Sequence, residues 1–175
     1  MTNSTETSTA TVQHLEITRT LNAPRELVYK AWTEPERLAK WWGPKGFDIH
    51  VAELNLEPGG IFHYGMKMPD GQELWGIFKY GEINPPARLT FINSFADADK
   101  NIVRNPWSPT WPLEVMNILE LEEKDGKTIL TLRGGPLNAT AEEIKTFEEG
   151  RPSMEQGFAG TFAQLEEYLE AITKQ

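Results

Sequence analysis

The run "HLEITRTL" sets Leu15, Ile17 and, less cleanly, Leu21 against polar neighbours at every second position, the period of a strand buried on one face. The next run, "NAPRELVYKAWTEPERLAKWWG", turns helical. Pro24 and Pro35 stand where a first helical turn accepts proline, and Thr33 to Glu36 has the spacing of a capping box. This predicts two short helices meeting at an angle near Thr33–Pro35. From Phe47 to Arg133 the period returns to two in "FDIHVAELNL", "IFHYGMKM", "ELWGIFKYGEI", "RLTFINSF", "LEVMNILELEE" and "KTILTLRG", with the turn signals "EPGG", "PDG", "NPP" and "KDG" between most of them. Strands in hairpin succession make an antiparallel sheet.

After "GGPLNAT" the helical period resumes. Thr140 to Glu143 and Ser153 to Gln156 both fit capping boxes, with a break expected at Gly150 and Pro152. Met154, Phe158, Phe162, Leu165, Leu169 and Ile172 then recur at three and four residues, one apolar stripe on a helix of about 20 residues, roughly 30 Å long. A sheet with one bare apolar face and a helix with one apolar stripe satisfy each other by packing together. The expected class is α+β: one strand, two short helices, six further antiparallel strands and a long closing helix.

At 175 residues the expectation is one domain over residues 14–175, preceded by a disordered, Ser/Thr-rich tail over 1–13. Eight Phe, six Trp and four Tyr supply large apolar surfaces, so something wide is lined or filled. A formal net charge of −9 repels phosphate backbones, which argues against nucleic acid as a partner. Zero cysteines remove disulfides, thiolate metal sites and thiol nucleophiles. With no signal peptide and no apolar run long enough to span a bilayer, a cytoplasmic protein without membrane insertion is expected.

Few motifs suggest chemistry. "DADKN" opens like a calcium loop, but Ile102 stands where glycine is needed and Ser108 where a bidentate Glu belongs. His14, His50 and His63 lack any paired ligand spacing, so no metal is expected. "EPGG" and "GPKG" lack the partners of phosphate or dinucleotide loops. No cofactor motif and no catalytic constellation is present.

Strand parity says more. Asn93 shares the parity of Leu89, Phe91 and Phe95, and Asn117 that of Leu113, Val115, Leu119 and Leu121, which places two amides on an otherwise apolar inner face. An unpartnered buried amide costs about 1–3 kcal/mol, so each amide meets a protein partner, a bulge that turns it outward, or a ligand. Phe62, Tyr64, Met66 and Met68 face inward by the same rule, with Phe78, Tyr80, Leu130 and Leu132, opposite Met154, Phe158 and Phe162 on the helix. His63 takes the outward parity, and His50 is ambiguous because the alternation slips near Ala52 and Glu53. The long loop "ADADKNIVRNPWSPTWP" carries Trp107 and Trp111 among prolines, either as a stiff gate or folded back on the domain edge.

Four ordered motifs, "APRELVYKAWTEPERLAKWWGPKGF", "LNLEPGGIFHY", "GEINPPARLTF" and "EQGFAGTFAQLEEYL", make residues 15 to 172 resemble the activator of heat-shock-protein-90 ATPase homologue-like family. That family lies within the START-like (SRPBCC), birch-pollen-allergen-like superfamily. The resemblance implies a helix-grip fold: a curved seven-stranded antiparallel sheet wrapped around the long C-terminal helix, with a cavity between them and a link to stress response. Trp41 and Trp42 would then end the second short helix, as wedge packing or with one reaching the cavity mouth. The ligand would be a small, largely apolar molecule, contacted by Phe62, Tyr64, Met66, Phe78, Tyr80, Phe91, Asn93, Asn117, Leu130, Met154, Phe158 and Phe162. Trp107 and Trp111 would form its gate. Two alternatives remain. A cyclase or hydrolase would need an ionisable group in the cavity, such as an inward His50 or His63. Chaperone binding is weakened by the departure from the eukaryotic activators, since a single domain is expected here. Homodimerisation through the loop or an edge strand is compatible with the pattern.

Overall fold

A computed structural model describes residues 15–173; the expected tail over 1–13 and His14 lie outside the described residues. Strand β1 (Leu15–Leu21) buries Leu15, Ile17 and Leu21 and exposes Glu16, Thr18 and Thr20, as the alternation predicts. Helices α1 (Arg25–Thr33) and α2 (Pro35–Trp41) follow. Glu34 separates them in an extended conformation, ending one helix and capping the next. A residue before proline is driven out of the helical region, so Pro35 sets the angle between the helices. The expected Thr33–Glu36 capping box does not form. Thr33 still belongs to the last turn of α1, and its hydroxyl donates to the Tyr29 carbonyl at 2.8 Å.

Six strands then run as a meander: β2 (Asp48–Leu54), β3 (Ile61–Lys67), β4 (Glu73–Asn84), β5 (Arg88–Ala96), β6 (Val115–Lys124) and β7 (Lys127–Pro136). The sheet order is β1-β7-β6-β5-β4-β3-β2, with every neighbouring pair antiparallel. The slip expected near Ala52 is a register shift between Val51 and Glu53. At Asp125–Gly126 both residues take positive φ, 57° and 79°, the backbone that a two-residue hairpin turn requires. Leu113 falls before β6 and is 37% exposed, so it does not share the inward face predicted for it.

Helix α3 (Ala141–Glu149) begins with the predicted capping box. The Glu143 amide donates to Thr140 Oγ1 at 3.1 Å and the Thr140 amide to Glu143 Oε1 at 3.0 Å. Helix α4 (Arg151–Thr173) starts directly after Gly150, and the Met154 amide donates to the Gly150 carbonyl at 3.0 Å. The second expected capping box, Ser153–Gln156, is therefore absent. Pro152 needs no N–H partner in a first turn, so the helix begins ahead of Ser153 and contains it.

The chain thus has the α+β helix-grip architecture, an open seven-stranded antiparallel sheet packed against its long closing helix. The packing is uneven along α4. Thr161, Phe162, Leu165 and Leu169 are buried, whereas no residue of the first ten, Arg151–Gly160, is. Beneath the second half lies an aromatic core in which Phe78 stacks on Phe91 with centroids 4.0 Å apart, and Trp32 meets Trp41 edge-on at 4.9 Å. Each such ring contributes about 1.5–3 kcal/mol by leaving water, with up to ~1.5 kcal/mol more from well-placed ring pairs.

Candidate functional site

The "WWGPKG" turn joins the short helices to the cavity. Trp41 is the wedge: it is 1% exposed, and its indole N–H donates to the Ala31 carbonyl at 3.0 Å. Trp42 points differently, being only half-buried and edge-on to Phe78 at 5.3 Å and to Tyr64 at 6.2 Å. The long helix holds the turn in place. Gln164 Nε2 donates to the carbonyls of Gly43 (2.7 Å) and Trp41 (3.2 Å), and Thr161 Oγ1 donates to the same Gly43 carbonyl at 3.2 Å. Gly43 takes φ +98°, and a Cβ there would lie 2.6 Å from Ile49 Cδ1, so glycine is required on both counts.

Under the first half of α4 are two cavities of about 240 and 380 Å³. They share a wall made by Asn93, Phe95, Met154 and Phe158. The larger is an open cleft lined by Trp42, Tyr64, Met66 and Leu74 and rimmed by Trp107 and Gly157; the smaller lies against Trp111, Asn117 and Phe147. Among the described residues no Asp, Glu, Lys, Arg or His lines either one. The combination of apolar walls and a few placed polar atoms is the usual character of a small-molecule site.

Tyr64 and Asn93 form its polar centre. Asn93 Nδ2 donates to the Tyr64 hydroxyl at 3.3 Å and to the Ile77 carbonyl at 3.3 Å. Burial pushes the Tyr64 hydroxyl above its ordinary pKa, while the neighbouring polar groups of Trp42 and Asn93 act the other way. Tyr64 has room because Gly76 stands opposite it, where a Cβ would sit 2.5 Å from the Tyr64 hydroxyl. Asn117 is 5% exposed, and its Nδ2 donates to the Val115 carbonyl at 3.1 Å. Both amides thus face inward with protein partners for their nitrogens.

Among the residues expected at the site, Tyr64, Met66, Asn93, Met154 and Phe158 come together around the larger cavity, with Asn117 on the smaller. Phe62, Phe78, Tyr80, Phe91, Leu130 and Phe162 are at most 2% exposed in the packed core and stand outside both cavity walls. Tyr80 keeps a buried hydroxyl with no hydrogen-bond partner among the described residues. The two loop tryptophans diverge. Trp107 is 66% exposed on the rim of the larger cavity, while Trp111 packs on Phe147 with centroids 5.3 Å apart. Sequence reasoning did not assign Gly43, Pro44, Phe47, Leu74, Gly157 or Thr161 to the site. Leu74 was within reach, since it shares the parity of Phe78.

His50 and His63 lie elsewhere. His63, outward as expected, is nonetheless 2% exposed: it stacks on Trp75 at 4.8 Å, and its Nε2 is 2.9 Å from the Asp97 carbonyl. His50 is exposed and edge-on to the same indole at 5.9 Å. Among the described residues no cluster of three or more His, Asp or Glu could hold a metal, and no helix is long and apolar enough to cross a membrane.

The profile of the family described as "Activator of Hsp90 ATPase homolog 1-like protein" matches residues 22–170. Solved structures agree in fold. Protein Ms6760 from Mycobacterium smegmatis is 27% identical with a TM-score of 0.71, covering 88% of each chain. Protein NE0264 from Nitrosomonas europaea is 27% identical with a TM-score of 0.70, over 93% of this chain and 98% of that one. A protein from Arthrobacter aurescens shares 24% identity and a TM-score of 0.75, over 89% of this chain and 85% of its own. No curated protein matches the sequence significantly.

Proposed function

Since the chain belongs to the Activator of Hsp90 ATPase homolog 1-like family, of START-like fold, whose members typically bind hydrophobic ligands, we propose that it holds a small, largely apolar molecule between the sheet and the first half of α4. The supporting observation is the uneven burial of α4, packed from Thr161 onward and standing over uncharged cavities before it. A continuous core would have filled that space, because interiors otherwise pack to crystal-like density. Turnover has less support, since among the described residues Tyr64 is the one ionisable side chain on the walls and burial keeps its hydroxyl protonated.

Native mass spectrometry of the purified protein tests the reading. A discrete excess mass that disappears on denaturation is the expected result and delivers the occupant for identification. A bare chain that also fails to bind a panel of apolar compounds would end it. The exposure of Trp107 favours a second reading, in which the loop meets another protein through that indole. That reading predicts complexes weakened by Trp107→Ala and unaffected by cavity-filling changes.

A further inference from the structure

The hydrogen bonds around Tyr64 leave two groups uncommitted. An amide N–H can only donate, so the Tyr64 oxygen accepts from Asn93, and its own proton has no acceptor among the described residues. Both protons of Asn93 Nδ2 are spent, on Tyr64 and on the Ile77 carbonyl, and Asn93 Oδ1 receives no hydrogen bond from the described residues. One free donor and one free acceptor therefore stand side by side on the wall of the larger cavity.

Charge is what the site lacks. Arg104, on the neighbouring loop, is already tied to Glu143 at 2.5 Å, and Lys45, in the "GPKG" turn, is exposed and forms no part of the wall. An anion moved from water into such a site loses its hydration and gains no counter-charge. The protein's net charge of −9 adds repulsion at a distance.

We infer that the site selects uncharged molecules carrying a carbonyl close to a hydroxyl or N–H, with Tyr64 donating to the carbonyl and Asn93 Oδ1 accepting from the neighbouring donor, and that it rejects carboxylates of the same skeleton. The inference rests on the pocket reading above and adds the ligand's charge state and polar pattern to it. An ionisable ligand of this class enters in its neutral form, so its affinity follows its own titration.

The test uses two fluorescent probes: prodan, a neutral naphthyl ketone, and the naphthoate in which a carboxylate replaces its propionyl group. Both present an acceptor oxygen to Tyr64 and differ in charge. Wild-type protein at neutral pH should bind prodan at least about tenfold tighter than the naphthoate, and lowering the pH toward the naphthoate's pKa should narrow the gap. Tyr64→Phe, which keeps the ring, should weaken prodan about 3- to 10-fold and move its bound emission to the blue as the carbonyl loses its donor. Equal or tighter binding of the naphthoate by the wild type, or no effect of Tyr64→Phe on affinity and emission, overturns the inference and leaves the pocket standing. Failure of both probes to bind overturns the pocket reading itself. The probe comparison is made on unmodified protein, so it does not depend on a variant folding.

Discussion

Gly157 sits on the rim of the larger cavity in the seventh position of α4, and a Cβ built there would meet nothing within 4 Å. Glycine inside a helix costs about 0.5–1 kcal/mol relative to alanine, so Gly157→Leu should stabilise the helix. For a domain of this size that gain raises Tm by about 1–4 °C. Function should suffer in the same variant. A helical side chain leans toward the N-terminal turn, here toward Met154 and across the cavity mouth. Its four carbons would displace ligand groups of similar size, forfeiting about 3 kcal/mol at ~0.8 kcal/mol per buried methylene, or a loss of about 150-fold in affinity. Gly160→Leu is the matched control. Gly160 is also helical, also has open space at its Cβ, and lines neither cavity. Thermal melts and prodan titrations of both variants give the answer. If Gly157→Leu binds within about twofold of wild type, or Gly160→Leu loses as much affinity as it does, the first half of α4 is not the wall of a ligand site.

Gly76→Ala brings a methyl within 2.5 Å of the Tyr64 hydroxyl; the overpacking should lower stability by about 1–3 kcal/mol, visible as a lower urea midpoint, and weaken prodan binding through the displaced ring. Gln164→Ala removes both donors' contacts to the Trp41 and Gly43 carbonyls, costing about 1–2 kcal/mol and shifting tryptophan emission as the turn loosens. Glu120 is held below its usual carboxylate pKa of 4.5 by its hydrogen bond from Arg133 (2.5 Å) and by its pairing with Arg88. A depressed folded-state pKa stabilises above the ordinary value and is lost as pH falls through the folded one. Glu120→Gln should therefore have a lower urea midpoint than wild type at neutral pH, and the difference should shrink as pH drops below about 4.5; a constant difference would refute the assignment.

Strand parity was legible because one face of the sheet is dry: it placed Tyr64, Asn93 and Asn117 inward with no coordinates. The capping box at Thr140 was equally readable, since no proline competes for that helix start. At Thr33 and Ser153 the same motif misled, because Pro35 and Pro152 fix where helices begin and leave those hydroxyls inside existing turns. His63 shows a different limit. Its outward parity was right, yet Trp75 covers it, a contact between strands that alternation along one strand cannot express. The site was half legible for the same reason. Phe62, Phe78 and Phe91 share the inner face with Tyr64, and only the position of α4 over the sheet decides which end is filled and which is hollow. Gly157 and Thr161 acquire their roles from that offset, which no period in the sequence records.

The uneven burial of α4 also fixes how its backbone exchanges with solvent. Local openings of a native protein cost as much free energy as the contacts they break. Amides from Met154 to Gly160, with no buried side chain beneath them, should exchange through small openings, and those from Thr161 to Leu169 through openings close to global unfolding. Deuterium uptake along this single helix should show a step near Thr161. An occupant bridging Tyr64 and Phe158 should slow uptake on the N-terminal side of the step and leave the other side unchanged, so the helix itself reports occupancy with no label on the ligand.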